Sequence, residues 1–169
     1  MSTHRIITAV LFLVVTACAM QEGKPVLDNP FDGPGWDREH NRPKDPSRTT
    51  FVAAATHLVV KDDPEAHRHF LEVFSPIREK LESGDLPGFV GYGTRTAGDL
   101  HEDWTISLWE SEEAMYNFVT SDEHMRAIET MGPWSEDGVV IHWEIRAQDL
   151  PLTYEMALEK LRNTGRDVY

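Results

Sequence analysis

His124 is the residue whose type and setting most readily do chemistry. In Ser121-Asp122-Glu123-His124, Ser121 reads as a helix cap, and Ile128 follows His124 by four positions, so the two share one helical face. An imidazole pointing inward with an apolar stripe is neutral near pH 7. It can then act as a general base for an acidic hydroxyl such as a phenol, or ligate iron. The competing reading is a helix-start histidine bonded to backbone or to Ser121. Aromatic side chains supply the rest of a candidate pocket. Thr105, Ser107 and Trp109 alternate onto one strand face. Tyr92, Trp143 or His142, and Phe118 could join them, a lining that suits a flat apolar ligand and equally an ordinary core.

The other histidines carry less. His67 and His69 are two apart on a helix, with His67 facing in and His69 out, so they do not chelate together. His40 and His101 sit in linker or turn sequence and are expected in solvent. The chain has no phosphate-binding glycine loop, nucleophile elbow or zinc spacing. The acidic stretch Glu110 to Glu113 complements a helix dipole.

Positioning such a site requires a packed domain, and the sequence texture supplies one from Thr49 to Leu150. Thr50 to Val60 is a strand. Asp63 caps a helix with Pro64 in its first turn, and Phe70, Leu71, Phe74, Ile77 and Leu81 mark its stripe, with Ser75-Pro76 expected to kink or restart it. Gly84 ends it. Phe89 to Arg95 and Trp104 to Trp109 are strands around a turn at Ala97-Gly98-Asp99. Ser111 caps a helix bearing Ala114, Met115, Phe118 and Val119. Ser121 caps another that Gly132-Pro133 stops. Gly138 to Ile145 is a fourth strand, and Thr153 to Arg162, within residues 151–169, is an added C-terminal amphipathic helix. The order β-α-β-β-α-β is the α+β, ferredoxin-like arrangement, an antiparallel sheet with helices on one face. The other face needs cover, and a second subunit is the expected one, giving a homodimer.

Pro87-Gly88-Phe89-Val90-Gly91-Tyr92, Thr105 through Met115 and Ser121-Asp122-Glu123-His124 together resemble the dimeric α+β barrel superfamily, which includes antibiotic-biosynthesis monooxygenase (ABM) domains and spheroidene monooxygenase-like proteins. The resemblance spans roughly Phe51 to Ile145. It implies a pocket between helices and sheet, with a small apolar or aromatic ligand bound by Tyr92, Trp109, Phe118, Ile128 and Trp143. It also implies an oxidoreductase in which His124 is catalytic, with no cofactor or with heme on His124. Heme-degrading members use a Trp and a His at places where this chain has Phe118 and Ile128, and a first-strand Asn that Thr50 to Val60 lacks. That chemistry is therefore not expected. Two alternatives remain: a non-catalytic binding protein for a hydrophobic ligand or heme, and a structural protein.

The N-terminus points to export. Ile6 to Val15 is apolar but too short to span a bilayer, which takes about 20 residues. It has the length of a signal-peptide core. Val15-Thr16-Ala17-Cys18 resembles the lipobox of bacterial lipoproteins, which implies removal of residues 1–17 and acylation of Cys18, the single cysteine. Ala19, rather than Asp, after that Cys implies a periplasm-facing place at the outer membrane. Residues 18–48, rich in Pro and Gly, read as a disordered tether whose only large apolar groups, Phe31 and Trp36, could dock on the domain but more simply belong to a solvated linker. The formal charge of −13 sets the chain against nucleic acid and anionic lipid as partners, so membrane attachment rests on Cys18.

Overall fold

A computed structural model describes residues 29–97, 101–164 and 166–167. The signal segment, Cys18 and the turn at Gly98-Asp99 lie outside the described residues. An N-terminal arm holds β1 (Asn29–Asp32), β2 (Trp36–Asp37) and β3 (Arg42–Pro43). The domain follows as β4 (Thr50–Val60), α1 (Pro64–Glu82), β5 (Phe89–Ala97), β6 (Glu102–Trp109), α2 (Glu112–Val119), α3 (Asp122–Met131) and β7 (Ser135–Arg146), then α4 (Tyr154–Thr164) and β8 (Arg166–Asp167). One antiparallel sheet runs β1-β5-β6-β4-β7-β8. Its four long strands, in the order β5-β6-β4-β7, have the ferredoxin-like topology, with α1, α2 and α3 on one face.

The caps fall where side-chain chemistry puts them. Asp63 accepts from the Glu65 N–H, Ser111 from Ala114 and Ser121 from His124. α1 differs from the expectation at Pro76, through which it runs unbroken. Pro76 and Glu72 lie on the exposed side, so water can hydrate the carbonyl that the missing N–H leaves free.

Alternation along the central strands builds two cores. Phe51, Ala53 and Ala55 pack with Ile106, Leu108, Ile141 and Ile145 on the face away from α1 to α3. Val52, Trp109, Phe89 and Tyr92 pack with Leu81, Met115 and Phe118 on the helical face. Gly88 joins α1 to β5 at φ 73°, in the left-handed region, and a Cβ there would lie 2.7 Å from the Ala114 Cβ. Gly88→Ala therefore combines backbone strain with a clash and should cost about 2 kcal/mol, read as a lower urea midpoint at unchanged slope.

Two expectations are corrected here. Residues 29–48 are not a disordered tether. β1 pairs with β5, the Gly35 N–H donates to the Val90 carbonyl at 2.9 Å, and Phe31 and Trp36 are 8% and 2% exposed. The proline and glycine punctuation shapes a docked arm, because the docking contacts are long-range and leave no local period. Nor is the far sheet face open for a second subunit to cover. The arm's Phe31 and Trp36 and α4's Ala157 and Leu161 belong to its core.

Candidate functional site

The helical face of the sheet encloses an apolar cavity of about 540 Å³, within the ordinary range of small-molecule sites. Its floor is laid by alternate residues of three strands: Ala54 and Thr56 of β4, Thr105 and Ser107 of β6, and Val140 and His142 of β7. α1 roofs it with Phe70, Phe74 and Ile77. Phe118, His124 and Ile128 form the wall.

Trp109, 1% exposed, ends β6 at the cavity's edge, and its indole N–H donates to the Ser107 Oγ at 2.9 Å. Its ring lies 5.2 Å from that of Phe118, which meets the His124 ring edge-on at 5.0 Å. The three make one continuous aromatic wall. His124 owes its place to the helix cap: Ser121 starts α3 one turn earlier, and the 3.6-residue period carries His124 and Ile128 onto the cavity side together. The cap uses the His124 backbone N–H, leaving the ring unused by Ser121. The imidazole Nδ1 is buried without a hydrogen-bond partner among the described residues. Burial holds the imidazole pKa below its ordinary 6.5, with the Val119 carbonyl working weakly the other way, so the ring is neutral at pH 7.

Of the six residues expected at the site, the structure brings His124, Trp109, Phe118 and Ile128 to one cavity and places Tyr92 and Trp143 elsewhere. Tyr92 is on the helical face but on β5, beyond the floor. Its phenol donates to the Glu82 carboxylate at 2.7 Å; burial and that carboxylate push its pKa upward, so it remains protonated. Trp143 packs against the opposite core, because β7 turns His142 rather than Trp143 toward the helices.

Tyr116 and the roof residues Phe70 and Phe74 were missed as site residues. The Tyr116 hydroxyl and the His142 Nε2 are 3.5 Å apart on the cavity lining, with Glu112 at 3.9 Å from the same nitrogen. The available signal was the i, i+4 pair Phe70 and Phe74, whose rings stack at 5.6 Å and form part of the roof.

His69 stacks on Trp134 at 4.5 Å, and His67 faces His101 at 5.0 Å. His101 is not simply solvated but stands 3.3 Å from Asp62. No group of three or more His, Cys, Asp or Glu that could hold a metal occurs among the described residues. Heme fits the cavity poorly. Its iron would find His124, but its two carboxylates would meet no Arg or Lys among the lining residues, where the acidic side chain is Asp103. The donor set suits a neutral or weakly acidic aromatic molecule better.

Solved structures resemble the fold. A candidate monooxygenase from Lactobacillus acidophilus NCFM is 19% identical, with a TM-score of 0.49 over 57% of this chain, which spans 45% of that longer protein. A dimeric ferredoxin-like protein of unknown function from Thermobifida fusca YX is 12% identical, with a TM-score of 0.46 over 58% of this chain and 93% of its own. A variant of SnoaB, a cofactor-independent oxygenase from Streptomyces nogalater, is 15% identical, with a TM-score of 0.45 over 61% and 98%. No curated protein sequence matches the chain. Residues 55–130, from β4 through α3, match the model of the antibiotic biosynthesis monooxygenase family.

Proposed function

We propose that this chain is a monooxygenase-like oxidoreductase that takes a small, flat aromatic or apolar molecule into the cavity between helices and sheet. The observation that carries the reading is a neutral, buried imidazole, His124, set in an otherwise apolar wall beside Phe118 and Trp109. A phenol whose ring system carries an acidic CH2 group, lying against that wall, would give a proton to the imidazole; the resulting anion would react with dioxygen at that carbon, one oxygen atom becoming the new carbonyl and the other leaving as water with the two hydrogens the carbon has lost. Ile128 and the α1 roof would keep bulk water from the anion, and the Thr56, Thr105 and Ser107 hydroxyls offer the floor-side polar contacts.

The test is oxygen uptake across a panel of one- to three-ring phenols, with product mass read alongside. Uptake that His124→Ala abolishes supports the reading. Saturable binding without uptake would instead favour a capture protein, which the apolar walls equally suit.

The N-terminal expectations complete the proposal: a lipoprotein acylated at Cys18, periplasm-facing at the outer membrane. Among the described residues no helix is long and apolar enough to cross a bilayer. Even fully extended, the chain from Cys18 to Asn29, the first described residue, reaches at most about 40 Å, which would hold the domain close to the lipid surface. Cys18→Ser should abolish lipid labelling and membrane retention; a processed, membrane-bound Cys18→Ser protein would refute the assignment. The homodimer expected from the fold would have to use a surface other than the covered sheet face.

A further inference from the structure

The sheet face opposite the cavity has an occupant from the same chain at each end. The arm enters along β5. A Cβ at Gly91 would lie 2.7 Å from the Asp32 carbonyl oxygen, and one at Gly33 would run into the Gly91 Cα, so backbone meets backbone with no room for side chains. Trp36 then inserts into the core, edge-on to Phe31 at 4.7 Å. From the other end of the chain comes α4. Its Tyr154 lies edge-on to Trp104 of β6 at 4.9 Å, and the buried Arg95 guanidinium of β5 sits 3.6 Å from the Tyr154 ring centre. Leu152, Ala157 and Leu161 close the remainder.

We propose that the arm and α4 together take the place of a second subunit, closing the sheet face in cis, so that a sheet-to-sheet dimer cannot form while the arm is docked. Three features carry this. The covering residues are apolar and buried to the degree of a domain core. Glycines stand where the two backbones touch. An arginine that would be stranded by removal of α4 has its face covered by Tyr154. The cavity is consequently built from one chain alone, and the arm and α4 both lie on the side of the sheet away from it.

The experiment is amide hydrogen exchange on the full chain in mild detergent, across a roughly hundredfold range of protein concentration. The Gly35, Trp36 and Lys44 amides, each bonded within the arm or to β5, report docking. Protection of these amides that does not change with concentration is the expected result. Gly33→Val, which disturbs the arm without altering a sheet strand, should lose that protection and should self-associate more strongly in sedimentation velocity. Arm amides that exchange freely in the unmodified chain, or whose protection rises with concentration because a second copy supplies the arm or falls because a second copy displaces it, would overturn the proposal. The unmodified chain decides the matter by itself if the valine variant does not fold.

Discussion

His124→Ala should lower turnover of an oxidisable phenol by about a hundredfold while leaving the fold in place, because the side chain removed is the base in the proposed reaction and not a core anchor. The imidazole borders the cavity and its Nδ1 has no protein partner among the described residues, so the truncation strands little inside the protein. The pH dependence carries the signature of that one group. Burial depresses the His124 pKa below 6.5, so kcat/KM should rise with pH through a value below 6.5 and then stay level, and the alanine variant should lose that rising limb. The same shift acts on stability with a defined sign. The unfolded chain takes up the proton first, so the contribution of this site is complete above pH 6.5 and is lost as pH falls through the folded value. Turnover unchanged in the alanine variant would remove His124 from the chemistry.

Trp36→Ala should destabilise the chain by about 3–5 kcal/mol, a large part of the roughly 5–15 kcal/mol that holds an ordinary domain. Trp36 is 2% exposed, and truncating it leaves a void among Phe31 and the far-face core that the glycine-pinned arm is poorly placed to close. A urea titration measures the loss. A fall below about 1 kcal/mol would mean that the arm is not docked in solution.

Much of the site was legible because it depends on local periods. The four-residue spacing of His124 and Ile128 and the two-residue alternation of Thr105, Ser107 and Trp109 each fix a face, and the cavity forms where those faces meet. Alternation says nothing, however, about lateral distance or about which of two neighbours faces in. Tyr92 has the right face on a strand too far from the floor, and His142 rather than Trp143 turns toward the helices. The arm was illegible for a related reason. What orders Phe31, Gly33 and Trp36 is contact with Val90 and Gly91, far along the chain, while the local signal is only turn-forming residues. With the arm misread as a tether, the sheet face looked bare and a second subunit looked necessary.

The most direct test of the cavity as the binding site fills it from its floor. Ala54 lies mid-strand between Ser107 and His142, and phenylalanine is at home in a strand. Calorimetric titration of the unmodified chain with a flat two- or three-ring phenol should give saturable binding. Ala54→Phe should keep the melting temperature and lose that binding. The same affinity in both proteins would show that the ligand does not enter this cavity and would contradict the account.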